Sequence, residues 1–100
     1  MLIIAGILRI NKPATDDILE VCRVMMETTS KEDGCLDYVF SFDPVDPEIL
    51  HIYERWESQE ALEAHFAAPH MIPFREAIAN WDITKQDILQ FDDVISKKLR

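Results

Sequence analysis

The first ten residues, MLIIAGILRI, constrain the fold most strongly, because they are apolar on both faces of any strand that they form. The two sets of side chains are Leu2, Ile4 and Leu8 on one face and Ile3, Ala5 and Ile7 on the other. A strand in a sheet with one solvated face would alternate apolar with polar residues. We therefore expect this strand to lie in a sheet that is covered on both faces.

Capping residues and hydrophobic periodicity predict the other elements. Thr15, followed by two aspartates, is typical of a helix start, and Lys12-Pro13-Ala14-Thr15 marks the break after the first strand. Ser58 caps a second helix, and Pro69 fits the first turn of a third. The predicted helices span residues 15–30, 58–68 and 69–80, and the predicted strands span residues 1–10, 35–42, 48–56 and 84–94. Alternation along the second strand places on one face the side chains of Leu36, Tyr38, Phe40 and Phe42.

The resulting order, β-α-β-β-α-α-β, predicts an α+β protein with ferredoxin-like topology, in which a four-stranded, mainly antiparallel sheet carries its helices on one face. One domain is expected over residues 1–100. Helices on one face leave the other apolar face bare, and a second copy of the sheet would cover it. We therefore predict a symmetric homodimer with its sheets packed face to face. The alternative is a monomer whose loops hide the apolar strand ends.

The formal net charge of −9 limits the possible partners. Ten Lys and Arg among nineteen acids leave little material for a nucleic-acid patch, and acidic character disfavours anionic membranes. No apolar run approaches the roughly 20 residues of a membrane span, and the first residues lack the basic start of a signal peptide. The expected location is the cytoplasm, where Cys22 and Cys35 would be small core thiols.

One stretch, YERWESQEALEAHFAAPHM, gathers most of the groups that could do chemistry. Strand alternation places Glu54 and Trp56 among apolar neighbours. A carboxylate there is either a strand-end residue paired with Arg55 or Arg75, or part of a site. Helical spacing places His65 on the inward half of its helix, where it is either a hydrogen-bonded core residue or an acid–base group.

His70 follows Pro69 near a predicted helix N-terminus, where the dipole favours a neutral imidazole. It is either a surface capping residue or a base or hydrogen-bond donor. Tyr38 is either a core residue or a contact for an aromatic substrate. Only two glycines are present, which excludes a Gly-rich phosphate loop, and the spacing His65-x4-His70 is not that of a zincin pair. A catalytic site would therefore use acid–base groups in an apolar cavity, with no cofactor and no metal expected.

Two runs, EDGCLDYVFSFD and YERWESQEALEAHFAAPHMIPF, resemble the antibiotic biosynthesis monooxygenase family of small dimeric α/β-barrel proteins. The pattern consists of Gly34-Cys35, Tyr38, Glu54-x-Trp56, Ser58, Ala61-Leu62, His65 and Pro69-His70-Met71. Within the family, the E-x-W-E-S and L-E-A-H…P-H-M runs are most similar to bacterial quinol monooxygenases. This resemblance implies cofactor-independent oxidation of a quinol, a hydroxylated aromatic or a polyketide by dioxygen.

The resemblance also implies roles for individual residues. His65 is the candidate base, His70 would hydrogen-bond the substrate oxygen, and Glu54 would orient His65. Trp56 would form a cavity wall, and all four groups would line one pocket between the sheet and the helix pair. The expected substrate-binding residues are Trp56, Tyr38, Phe66 and Met71.

Three alternatives remain open. Isomerases that degrade a furanone-type quorum signal also resemble the chain through Tyr53-Glu54 and the two histidines, but their phosphorylated ketone would need cations, for which the stretch offers Arg55 and Arg75. Haem-degrading relatives use an Asn in the first strand, which is absent here. The third alternative is a non-catalytic dimeric ligand-binding protein, in which His65 is a core residue and its replacement changes stability rather than turnover.

Overall fold

The computed structural model describes residues 1–11 and 14–100, and its elements follow the predicted order. They are β1 (Leu2–Ile10), α1 (Asp16–Thr29), β2 (Cys35–Phe42), β3 (Ile49–Trp56), α2 (Gln59–Phe66), α3 (Met71–Ile78) and β4 (Ile83–Phe91). The four strands form one antiparallel sheet in the order β2-β3-β1-β4. The predicted α+β, ferredoxin-like fold is therefore confirmed. Residues 12 and 13 of the predicted break, Lys12-Pro13-Ala14-Thr15, lie outside the described residues.

Two of the three helix starts agree with the sequence prediction. Thr15 Oγ1 accepts a hydrogen bond from the Ile18 backbone N–H at 3.3 Å, and Ser58 Oγ accepts one from the Ala61 N–H at 3.2 Å. The predicted start of α3 at Pro69 is wrong, because the helix begins at Met71. The proline in its first turn is Pro73, whose missing N–H would have no partner within the helix.

The predicted alternation of β2 is wrong at Leu36. Cys35 lies opposite Trp56 and Asp37 lies opposite Arg55, so β2 uses two steps where β3 uses one. Leu36 is the extra residue of this β-bulge, and it is 40% exposed. Beyond the bulge the alternation is as predicted, with Tyr38 and Phe40 buried beneath the helices.

The two sheet faces differ in cover, although both contain a group of apolar residues. On the helix-covered face Leu2, Ile4, Leu8 and Ile10 are buried with residues of all three helices. On the other face Ala5 lies opposite Tyr53 and Leu89, and Val39 lies opposite Tyr53. We call this half-exposed surface the outer band, defined as Ile3, Ala5, Ile7, Val39, Tyr53, Leu89 and Phe91.

The two cysteines are free and contribute to the core. Cys22 is buried on α1, and Cys35 is half-buried at the start of β2. Burial raises the pKa of each thiol to about 11, which disfavours the reactive thiolate. These thiols therefore behave as the small apolar groups that the sequence predicts. No helix within residues 1–11 and 14–100 combines the length and apolarity of a membrane span.

We expect Gly6→Ala to lower the free energy of unfolding by about 1–3 kcal/mol or more. An added Cβ at Gly6 would lie 2.0 Å from the backbone oxygen of Asp87 and 2.6 Å from the Cα of Ile88. Because both obstructing atoms belong to the backbone of β4, they cannot rotate away as a side chain would. Urea unfolding measures the effect, and the exposed β2 substitution Ser41→Ala is the control. Equal unfolding free energies for both variants would contradict the close approach of β1 and β4.

Candidate active site

A cavity of about 190 Å³ lies between the sheet and the pair α2 and α3. Its walls are mostly apolar and include three of the predicted substrate-binding residues, Tyr38, Phe66 and Met71. Its polar lining comes from Glu54, His65 and Gln86. The sequence prediction that Glu54 and His65 meet in one apolar pocket therefore agrees with the geometry.

His65 is the polar side chain with the most defined setting in this cavity. It lies in the last turn of α2, is 2% exposed, and packs against the rings of Trp56 and Tyr38 at centroid distances of 5.0 and 5.3 Å. Its Nδ1 lies 2.7 Å from a carboxylate oxygen of Glu32. Because a carboxylate accepts, Nδ1 carries the hydrogen and the lone pair lies on Nε2. The ring therefore has one nitrogen held by Glu32 and the other available to a ligand.

The electrostatic setting keeps His65 neutral. Burial lowers the pKa of the imidazole below its ordinary value, and the neighbouring Glu32 carboxylate opposes this shift only in part. A neutral imidazole oriented by a carboxylate is the arrangement that general bases adopt in hydrolases. Glu32 itself lies in the turn after α1, where its backbone N–H donates to the Thr29 carbonyl at 2.9 Å. This turn fixes the carboxylate relative to α2.

The predicted carboxylate partner of His65, Glu54, is wrong. Glu54 Oε1 accepts a hydrogen bond from Trp56 Nε1 at 3.0 Å, and Glu32 takes the place beside His65 that was predicted for Glu54. The reason is the strand period, which directs Glu54 and Trp56 to the same face two residues apart. Pairing of Glu54 with an arginine is also not observed, because Arg55 donates to Asp37 and Arg75 donates to a backbone carbonyl.

Glu54 is buried, and its surroundings raise the pKa of its carboxyl group. Burial raises the pKa of this carboxyl to about 7, while the hydrogen bond from Trp56 acts in the opposite direction and the Glu32 carboxylate adds to the rise. Near neutral pH the group therefore exists in both protonation states. It is able to accept or donate a hydrogen bond toward the cavity. Burial and the same two carboxylates also raise the pKa of Tyr38, so its phenol stays protonated.

Two of the predicted pocket residues lie beside the cavity rather than on its wall. Trp56 is fully buried beneath His65, and within the described chain the cavity lining includes neither Trp56 nor His70. His70 is the N-cap residue of α3, and its Nε2 lies 3.2 Å from Thr29 Oγ1 and 3.5 Å from a Glu32 oxygen. Its other surroundings form a groove between α1 and α3. Glu32, His65 and His70 are the cluster in the described chain that could hold a metal ion.

The fold and the cavity define a class before any relative is considered: a small ferredoxin-like α+β protein with a carboxylate-held histidine beside an apolar pocket. The sequence profile of the antibiotic biosynthesis monooxygenase family matches residues 1–77, and the chain belongs to this family. "Probable quinol monooxygenase YgiN" of Escherichia coli is 31% identical over 83 residues, which cover 75% of this chain and 74% of that protein.

Solved structures agree with this assignment. A crystal structure of an antibiotic biosynthesis monooxygenase has a TM-score of 0.80 and 28% identity, and the match covers 95% of this chain and all of that one. A structure from Deinococcus radiodurans has a TM-score of 0.81 and 24% identity over 100% of this chain and 99% of that one. The second likeness concerns the fold alone.

We expect Glu54→Gln to stabilise the protein more at about pH 8 than at about pH 5. The folded chain raises the pKa of Glu54 from 4.5 to about 7 and so binds its proton more tightly than the unfolded chain. The stability from this carboxyl is thus fully present below about pH 4.5 and is lost as the pH rises through about 7. The loss is at most about 3 kcal/mol. Glutamine does not ionise, and its amide oxygen can still accept from Trp56.

Unfolding free energies of Glu54→Gln and the unchanged protein at the two pH values test this expectation. Glu32, Tyr38 and His65 are ionisable groups near this carboxyl, so the quantity to compare is the difference between the two proteins. The exposed substitution Glu60→Gln is the control. A difference that does not change with pH would show that the carboxyl ionises as freely in the folded chain as in the unfolded one.

Proposed function

We propose that this protein is a cofactor-independent monooxygenase that oxidises a quinol or a hydroxylated aromatic ring with dioxygen. The observation that carries the proposal is the buried His65, which is held at Nδ1 by Glu32 and lines an apolar cavity. The name of the E. coli relative YgiN supports a quinol as the substrate. The proposal therefore joins a base of defined orientation with a pocket for an aromatic ring.

The chemistry begins with a proton transfer. His65 Nε2 removes the hydroxyl proton, and the resulting electron-rich anion passes one electron to dioxygen. The two radicals combine at a ring carbon to form a peroxide. Cleavage of the O–O bond leaves one oxygen on that carbon as a carbonyl, and the second oxygen departs as water with the ring hydrogen and the hydroxyl hydrogen. The protein's part is to take up the proton, hold the anion and exclude bulk water.

The size and polarity of the cavity support a small aromatic substrate. Its volume of about 190 Å³ is below the ~300–1,000 Å³ of most drug-sized ligand sites, which suits a compound of one or two rings. Tyr38 and Phe66 offer aromatic surfaces, and Met71 offers an adaptable apolar one. Glu54 lies at the same wall and would hydrogen-bond the substrate oxygen, a role that the sequence resemblance implied for His70.

The isomerase alternative receives no support from the cavity. A phosphorylated substrate would need cationic partners, and the described lining of the cavity contains no Lys or Arg. Arg55 is engaged by Asp37, and Arg75 donates to the Phe66 carbonyl. The carboxyl of Glu54 at the cavity wall would also repel a phosphate whenever it is ionised.

Oxygen uptake by metal-free and flavin-free protein tests the proposal. A panel of reduced naphthoquinols and polycyclic phenols serves as substrate, and the spontaneous oxidation rate is subtracted. We expect uptake above this background for at least one compound, with a quinone product that contains one oxygen atom from ¹⁸O₂. Uptake that yields hydrogen peroxide and no labelled product would replace the monooxygenase by an oxidase. A rate equal to the background across the panel would favour a non-catalytic binding protein.

We expect Glu32→Gln to lower kcat by about 10- to 100-fold, because the amide still accepts from Nδ1–H but no longer stabilises the protonated imidazole. A positioning role also predicts a shift of the pH profile. The Glu32 carboxylate raises the pKa of His65, so its loss should move the acidic limb of the rate profile to lower pH. The exposed substitution Glu63→Gln is the control. A lower rate with an unmoved acidic limb would assign Glu32 a structural role only.

We also infer that the working unit is a homodimer whose outer bands face each other. The band includes Val39 and Tyr53, each 39% exposed, and Leu89, which is 56% exposed. Contiguous apolar surface of this kind is uncommon on a monomer. A second copy related by a twofold axis would cover it with the same residues.

A further inference from the structure

Three side chains with metal-binding atoms meet at one point beside the cavity. Glu32 Oε2 lies 2.7 Å from His65 Nδ1, and Glu32 Oε1 lies 3.5 Å from His70 Nε2. The three ligand atoms lie within 4.8 Å of one another. Two imidazoles and one carboxylate are a ligand set that suits zinc and other divalent transition metals.

The histidines reach this point from different elements. His65 lies in the last turn of α2, and His70 is the N-cap residue of α3. Their spacing in sequence excludes a pair on one helix face, but the turn between the helices brings their ring centroids to 5.9 Å. Glu32 comes from the turn after α1. The three possible metal ligands therefore come from three segments of the chain, and no metal-binding helix motif in the sequence predicts them.

Two of the three helix ends at the cluster favour a cation, while the N-terminal end of α3 at His70 opposes one. The last turn of α1 contains no basic residue, and Thr29, its final residue, is fully buried next to His70. The α2 helix also ends here, with His65 in its last turn. The C-terminal end of a helix carries a partial negative charge, which attracts cations. Thr29 Oγ1 lies 3.2 Å from His70 Nε2 and offers a neutral oxygen at the edge of the cluster.

The geometry points to a binding site for one divalent transition metal, with Zn²⁺ as the best match, formed by Glu32, His65 and His70. Zinc binds nitrogen and oxygen at about 2.0–2.2 Å, so ligand atoms around it are about 3–3.5 Å apart. Shifts of less than about 1 Å per side chain bring the three atoms to that spacing from the distances observed. Three protein ligands leave a fourth position for water.

Metal binding would switch off the proposed base. His65 would bind the metal through Nδ1, and this requires the tautomer that carries its hydrogen on Nε2. The nitrogen available to the cavity would then donate a hydrogen bond and could not accept a substrate proton. Zn²⁺ should therefore inhibit turnover. This consequence depends on the proposed function, whereas the binding itself does not.

Calorimetric titration of the chelator-treated full chain with Zn²⁺ tests the site. We expect one equivalent of Zn²⁺ per chain. In His70→Gln and in Glu32→Gln, the affinity for Zn²⁺ should fall by more than the loss of about 10- to 100-fold that is typical when a residue that only hydrogen-bonds a metal ligand is replaced. His51→Ala is the matched control, because it removes another histidine–carboxylate pair, His51–Asp43, at the surface. Circular dichroism of each variant verifies folding. Co²⁺ gives a second readout, in which visible absorption reports a low-coordinate nitrogen and oxygen site.

The outcomes separate the site from the proposed function. Binding that is lost in both cluster variants and kept in His51→Ala supports the site, whatever the oxygen-uptake result. No binding of one equivalent, or equal affinity in the cluster variants, would show that the three groups form a hydrogen-bonded network only. A sulfur-to-cobalt charge-transfer band would place the metal on Cys22 or Cys35 and would also overturn the proposal.

Discussion

Replacing His65 with alanine is expected to lower the catalysed rate of oxygen uptake by about 10²- to 10⁴-fold, the contribution of a well-placed base near neutral pH. The side chain removed is the one that Glu32 holds at 2.7 Å and that lines the apolar cavity. The substrate hydroxyl would then lack the base that Glu32 orients, and only Glu54 on the cavity wall or water could take up its proton. The reaction would fall towards its spontaneous rate.

A buried histidine also contributes to packing, so the experiment needs a control for stability. His65 is 2% exposed, and its loss leaves a cavity against Trp56. Leu62→Ala is a matched variant, because Leu62 lies on the same helix and is fully buried but carries no proton-transfer group. We expect Leu62→Ala to lower the melting temperature and to keep its rate per folded molecule. Equal catalysed rates for His65→Ala and the unchanged protein would make His65 a core residue and would rule it out as the base.

The fold could be predicted closely because its signals are local. The Thr15 and Ser58 caps agree with the sequence prediction, and so do the bounds of β2, Cys35–Phe42. A capping hydroxyl and an alternating strand both depend on neighbours within a few residues. The predicted alternation failed at Leu36 because the one extra residue of a β-bulge leaves no periodic signal in the sequence.

The site could be predicted only in part because its key contact is not local. Glu54 and His65 lie in the same cavity as predicted, since the strand and the following helix pack together. Glu32 precedes His65 by 33 residues, in a turn where an acid is usually exposed. The one sequence signal was that Glu32 opens the run EDGCLDYVFSFD, which resembles the family. Periodicity cannot pair a turn residue with a helix residue, and the family resemblance implies Glu54 rather than Glu32 as the carboxylate that orients His65.

Replacing Leu89 with aspartate is expected to convert the proposed dimer to a monomer. Leu89 lies in the outer band opposite Ala5, and it is 56% exposed in the single chain. A carboxylate buried in an apolar interface without a partner is costly. A penalty of about 3 kcal/mol raises the dissociation constant about 100-fold. Sedimentation equilibrium over a range of protein concentrations measures the change.

The control is Ile72→Asp, because Ile72 is an exposed apolar residue on α3, outside the outer band. An acid in the first turn of a helix is also favourable for the folded chain. We expect this variant to remain dimeric, and a monomer in both variants would point to a general effect of added charge. A monomeric unchanged protein would instead mean that the outer band stays in water.

The charges on this face support the first outcome. Arg55 donates to Asp37 at 2.7 Å across neighbouring strands, and both side chains are more than half-buried. His51 is likewise paired with Asp43 at 2.8 Å. Because Arg55 and Asp37 are already paired within one chain, a second sheet could cover that part of the band without isolating them. Leu89→Asp adds a carboxylate without such a partner, so it should weaken the dimer more than a charge added at the solvent-exposed edge of the interface would.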